Sequence, residues 1–254
     1  MNFFCTRENL PEGAGFVLFG KEHLAALAVC LIFIIAACRF CYRLSPKGRR
    51  RFLQVIAVLL ILSDQLRNLF LIMNGVSLLG YLPLHLCTLS MFLFPFAVFL
   101  PDGCCECFRG IVRELGVVLF APGAVCALLF CNWTVLPIVS YLSFHSFFWH
   151  ALVIIFGMSL YCTKMVRPNV RHWYYTAVFF LIIVPPILWF DLKYDCNYLF
   201  IGWPQEGSPI YAVYRAVGGL WRVLFLCFLG ISAFPMYIIL GEISFIQKKK
   251  KSAV

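Results

Sequence analysis

Seven long apolar runs, at 24–40, 52–73, 82–100, 111–130, 138–162, 173–190 and 217–240, divide the chain, with short polar stretches between them. Each is close to the about 20 mostly apolar residues that a spanning helix requires. Hydrocarbon offers no water to satisfy backbone N–H and C=O groups, so runs of this length predict helices. The pattern predicts an all-α protein, a polytopic transmembrane helix bundle of about seven helices, with residues 1–254 forming a single membrane domain.

Composition agrees with the pattern and excludes a soluble domain: the 254 residues are 63% apolar and 13% charged, with mean hydropathy +0.90. The formal charge of +10 forms no basic face, so it predicts orientation and no nucleic-acid partner. A loop bearing Arg39, Arg43, Lys47, Arg49, Arg50 and Arg51 follows the first run. Placing it inside also puts Arg109, Arg113, Lys164, Arg167, Arg171 and Lys248 to Lys251 inside, 15 of the 21 basic residues. The expected topology is an outside amino terminus and an inside carboxyl terminus. Arg7, Glu8, Glu12, Lys21 and Glu22 lack the basic character of a cleavable signal, so the first run reads as an uncleaved anchor. The 13 cysteines lie mostly in apolar runs or inside loops and are expected to be mostly free thiols.

Polar side chains within the runs carry the functional information, since each costs several kcal/mol in hydrocarbon unless partnered. Asp64, Gln65, Arg67 and Asn68 lie in the outer half of the second run. His85 and Cys87 lie near the outer end of the third, and His145 and His150 in the fifth. Arg215 and Arg222 mark the outer half of the last run, His23 the mouth of the first, and Asn197 an outer loop. These residues converge in depth on one outer site, while the inner half reads as almost wholly apolar. The simpler account is that Asp64 and Arg67, three apart on one helix face, neutralise each other and that the histidines are core residues.

Spacing constrains the chemistry. Residues two apart on a helix point about 200° apart, so His85 and Cys87 do not touch, and a thiol–imidazole pair is more plausible between Cys87 and His145 or His150. The histidines His145 and His150 are themselves splayed by about 140°. Three further motifs have ordinary readings. Cys104-Cys105-Glu106-Cys107 could take metal or palmitate but lacks paired C-x-x-C spacing and reads as a plain inner loop. Asn132-Trp133-Thr134 matches a glycosylation sequon but sits too close to the membrane. The Lys248 to Lys251 tail holds the last helix end inside and could meet anionic lipid.

Several segments together resemble a known family. They are Phe19-Gly20 with His23, then Leu82-Pro83-Leu84-His85-Leu86-Cys87 with Ser90, then Phe144-His145-Ser146-Phe147-Phe148-Trp149-His150, then Asn197-Tyr198-Leu199-Phe200 with Pro204. This ordered set resembles the YwaF-like bacterial integral membrane proteins, which are distantly similar to the eukaryotic transmembrane protein 164 group of phospholipid acyltransferases. The resemblance implies a bacterial inner-membrane protein that carries out thiol-dependent acyl transfer between membrane lipids without a cofactor or metal. By the same resemblance Cys87 is the nucleophile, His85, His145 or His150 the base, and Asn197 a donor to the oxyanion. Asp64, Arg67, Arg215 and Arg222 complete the expected substrate-binding set. The rival reading is a transporter or channel that uses the same residues for a polar solute. A third is an intramembrane metal enzyme built on His23, His85, His145, His150 and Asp64.

Overall fold

The computed structural model describes residues 3–10, 13–101, 103–204, 206 and 208–241, and every regular element among them is helical. Helices α1 (Lys21–Arg43) and α2 (Pro46–Met73) form the first hairpin. Its corner is set by Ser45, whose hydroxyl accepts from the Gly48 N–H, and by Pro46 at the first helical position, where its missing N–H loses no bond. A strap, 74–85, with a short 3-10 turn at Leu78–Tyr81, leads to α3 (Leu86–Phe99). Helix α4 (Glu106–Leu115) runs through a π-helical segment, Gly116–Phe120, into α5 (Ala121–Leu129). Then come α6 (Tyr141–Cys162), α7 (Tyr174–Tyr194), α8 (Pro209–Val217) and α9 (Trp221–Ile231). A last helical stretch covers 234–241.

Six of these units are long and apolar enough to cross a membrane: Lys21–Arg43, Pro46–Met73, Glu106–Leu129, Tyr141–Cys162, Val170–Tyr194 and Ile210–Gly241. Their outward faces carry large apolar side chains, among them Ile32, Leu62, Leu181 and Val223. This is a polytopic all-α membrane bundle whose surface meets lipid. The tail lysines Lys248 to Lys251 fall outside the described residues.

The third run departs from expectation. A helix was expected over 82–100, but α3 begins at Leu86 and has 14 residues, about 21 Å at 1.5 Å per residue, short of the about 30 Å hydrocarbon thickness. Pro83 holds the preceding Leu82 in an extended conformation (φ −59°, ψ 150°), and His85, also extended, is the residue just before the helix. The strap therefore continues this layer beyond the N-terminus of α3 as irregular chain. Such backbone is tolerated at depth only when protein pairs it, and partners are present: Arg67 donates to the Tyr81 carbonyl (2.8 Å), and the Tyr198 hydroxyl donates to Leu79 O (2.6 Å) and accepts from Leu82 N–H (2.9 Å).

The C-terminal end of α3 is capped by arginines that the sequence marked only as topology signals. Arg50 donates to Val98 O (3.0 Å) and Leu100 O (2.7 Å), Gln54 to Val98 O (3.1 Å) and Arg113 to Ala97 O (2.9 Å). Arg109 reaches Leu100 O and Pro101 O. Cations suit the last turn of a helix, whose carbonyls have no partner of their own. The half of the bundle that was expected to be almost wholly apolar thus contains paired polar side chains. Buried Glu114 accepts from the Asn169 N–H (2.9 Å) and pairs with His172 Nδ1 (2.9 Å), tying α4 to the α6–α7 loop.

Helix α6 is the hub: 72% of its most apolar stretch is buried, against 11% for α1. It contacts α1, α2, α3, the π-helical segment and α5. The closest approach is at Gly157, where a Cβ would lie 2.4 Å from the Gly116 carbonyl oxygen and 2.8 Å from Ala121 Cβ. Small residues permit such contact, and dispersion across it is what holds helices together in lipid. Phe94 of α3 stacks on Phe156 beside it (3.9 Å, 9°).

Candidate functional site

Part of the polar set expected to share one site assembles around Arg67. On α2, Arg67 Nη2 lies 2.6 Å from Asp64 Oδ1. Asn68 closes the ring, donating to Asp64 Oδ2 (2.9 Å) and accepting from Arg67 Nη2 (2.9 Å). Three and four residues apart, these groups share one helix face. Asp64 is fully buried and Arg67 nearly so, so the carboxylate keeps its charge in hydrocarbon only through this ring.

Two imidazoles, His85 on the strap and His145 on α6, lie within electrostatic range of Arg67, and both are near His150. His145 reaches toward the Ser63 backbone, and its Nε2 is buried without a hydrogen-bond partner. His150 Nδ1 is 2.6 Å from the Ser146 carbonyl oxygen. A carbonyl only accepts, so Nδ1 carries the proton and Nε2 keeps its lone pair. His150 stacks on Trp133 (5.3 Å, 17°). His85 packs against Tyr198 (5.0 Å) and Phe200 (5.2 Å) and lies near His150 and Arg67. His85 and His150 are both half-buried.

Cys87 occupies the second position of α3, two residues past His85. It is buried, with Cys126 of α5 the neighbouring thiol. Its carbonyl accepts from Trp149 Nε1 (3.3 Å) and from the Ser90 hydroxyl (2.5 Å). Among the described residues no imidazole is hydrogen-bonded to its sulfur. The Thr88 and Leu89 N–H groups bond to the His85 carbonyl. The Leu86 and Cys87 N–H groups are among the first-turn donors that a helix leaves unpaired.

The thiol that does touch an imidazole is Cys131, 3.4 Å from His23 Nε2. This contact is structural. His23 Nδ1 accepts from the Phe19 N–H (2.9 Å), so Nε2 carries the proton and gives it to the Leu128 carbonyl (2.9 Å). No lone pair remains to take a proton from Cys131, whose thiol donates to the same carbonyl (3.1 Å).

The other expected substrate contacts lie apart from the Arg67 cluster. Asn197 closes its own loop: Oδ1 accepts from Gly202 N–H (2.9 Å) and Trp203 N–H (3.3 Å), and Nδ2 donates to Trp203 O (2.8 Å). Leu199 (φ 54°) and Phe200 (φ 58°) sit in the left-handed region, which costs about 1–2 kcal/mol per non-glycine residue. Asn197 and Tyr198 hold the turn that presents Phe200 to His85. Arg215 is exposed on α8. Arg222 was expected to share the common cavity; it is exposed and lines a separate small cavity of about 100 Å³ with Asp191, Asp195 and Trp203.

Two contributors escaped the sequence reading. Asp191 lay past the expected helix end at 190, but α7 continues to Tyr194, and the buried Asp191 accepts from the Tyr198 N–H (3.1 Å). Tyr198 was visible in its motif, but its role depends on bonds to Leu79 and Leu82, more than a hundred residues away. Among the described residues no group of three or more His, Cys, Asp or Glu side chains is arranged to hold a metal ion.

No curated protein and no solved structure matches the chain. Residues 18–240 match the TMEM164 family, a stretch that contains every residue of the Arg67 cluster together with Cys87. This multi-pass membrane protein therefore belongs to the TMEM164 family.

Proposed function

We propose that this protein is a membrane-embedded lipid acyltransferase with Cys87 as its nucleophile. One observation carries the proposal: His85 and His145 lie within electrostatic range of Arg67 and of His150, and the Cys87 thiol stands two residues past His85 in the first turn of α3. The Leu86 and Cys87 N–H groups are suited to receive an oxyanion, a role that Asn197, bound into its loop, is less free to fill.

In this reading the Cys87 thiol gives its proton to an imidazole as its sulfur attacks the carbonyl carbon of a lipid ester. The tetrahedral oxyanion collapses, the C–O bond breaks, and the lysolipid leaves with a proton from an imidazole. The acyl group stays on Cys87 as a thioester. A second lysolipid hydroxyl then gives its proton to an imidazole and attacks the thioester, which restores the thiol. His150 Nε2 is the best-prepared base, because the Ser146 carbonyl fixes its tautomer. The Asp64–Arg67–Asn68 ring satisfies itself, which fits a fixed electrostatic platform better than a transport path for a polar solute. A bacterial inner-membrane location and an outside amino terminus form part of the same proposal and rest on the YwaF-like resemblance and the charge distribution.

The test is acyl-enzyme trapping with purified protein and phospholipid. Peptide mass spectrometry should find a hydroxylamine-sensitive acyl group on Cys87, and Cys87→Ala should abolish lipid-to-lipid transfer while Cys227→Ala does not. His150→Ala should lose about 10²–10⁴-fold in transfer, the range for a positioned acid–base group. Full activity in Cys87→Ala would end the assignment.

A further inference from the structure

We infer that the loop between α3 and α4 is a site of S-acylation, in which Cys104, Cys105 and Cys107 accept long-chain acyl groups from an acyl thioester. The sequence alone favoured a plain loop, and the placement of the side chains alters that balance. All three thiols are exposed. They sit at the end of the bundle where Arg50 and Arg109 reach the Leu100 carbonyl. Phe99 and Phe108, on either side of the loop, are exposed too, and Phe108 packs edge-on against Phe96 (5.7 Å). An acyl chain added here has an apolar surface to lie on and a membrane to enter.

The local chemistry suits a nucleophile. Cys105 is the residue immediately before α4, and the Cys104 thiol donates to its sulfur (3.7 Å). That bond holds the Cys104 proton in place and pushes the Cys104 thiol up from its ordinary value, so Cys105, which accepts the bond, is the nucleophile of the pair. The Cys105 thiolate attacks the carbonyl carbon of the acyl thioester. A new S–C bond forms as the old one breaks, and the leaving thiolate takes up the proton that Cys105 released. Spacing argues against metal, and among the described residues no group is arranged to bind it. The 3.7 Å contact between neighbouring sulfurs also invites a vicinal disulfide, so the experiment separates the two.

Full-length protein carrying Cys87→Ala, so that no thioester at the lipid-transfer site can confuse the result, is embedded in phosphatidylcholine nanodiscs and incubated with palmitoyl-coenzyme A. Acylation is read by peptide mass spectrometry before and after neutral hydroxylamine. The expected result is a hydroxylamine-labile acyl adduct on the Cys104–Cys107 peptide, with at least about a tenfold excess over the Cys227 peptide, and its loss in Cys104→Ser/Cys105→Ser/Cys107→Ser. The replaced thiols are exposed, so this variant should purify as a single species like its parent. Absence of the adduct, equal labelling at Cys227, or a mass change on the loop reversed by reductant alone would overturn the inference. Since Cys87 is absent throughout, the outcome is independent of the lipid acyl-transfer reading.

Discussion

Replacing Arg67 by Met tests whether the polar ring on α2 is held by pairing or merely tolerated. Asp64 is fully buried, and its partner guanidinium, also nearly buried, supplies the 2.6 Å contact. Arg67→Met leaves that carboxylate without its counter-charge, and breaking a buried pair in this way costs about 3–5 kcal/mol. The Tyr81 carbonyl loses its donor as well, a further about 1–3 kcal/mol if no water reaches it. Asp64→Leu should cost a similar amount by stranding the cation. In Asp64→Leu/Arg67→Met the uncompensated charge is gone, and only the Tyr81 carbonyl and Asn68 remain unsatisfied, so the loss should fall to about 1–3 kcal/mol. The double-mutant cycle, measured by reversible SDS unfolding in mixed micelles, should give a coupling of at least about 2 kcal/mol. Additive single-variant losses, or an Arg67→Met variant as stable as the native protein, would refute the argument that Asp64 is charged and held by Arg67.

Two further outcomes follow from the geometry. Gly157→Ala should lower stability by about 1–3 kcal/mol in the same unfolding assay, because the added methyl meets the Gly116 carbonyl at 2.4 Å; an unchanged midpoint would mean that the π-helical segment yields freely. Burial pushes the Tyr198 phenol from 10.0 up to about 12, so the folded state holds this proton more tightly than the unfolded one, and the associated stability is complete below pH 10 and lost as pH rises toward about 12. Tyr198→Phe should flatten that alkaline decline while lowering stability at neutral pH through its missing bonds to Leu79 and Leu82; an identical alkaline profile would show that Tyr198 does not titrate there.

The apolar runs by themselves determined that this chain is an all-α, multi-pass membrane bundle, because spanning hydrocarbon is a local requirement that all but the third run meet with their own length and composition. The convergence of Asp64, Arg67, His85, His145 and His150 was also legible, since depth follows from position along each helix. Which side chains meet was not, because that depends on helix rotation and on irregular backbone. Pro83 shortened α3 and turned 82–85 into a strap, but only Tyr198, arriving from the far end of α7, explains why the strap holds its shape. Asn197 and Arg222 matched the cluster in depth and still fell outside it, one engaged by its own loop and the other facing a different cavity. The tautomer of His150, the structural use of His23 beside Cys131, and the inner pairing of Glu114 with His172 each rest on a single bond to a group fixed by packing. A sequence records which polar groups have to be satisfied in the membrane, and only the packed tertiary structure decides which partners satisfy them.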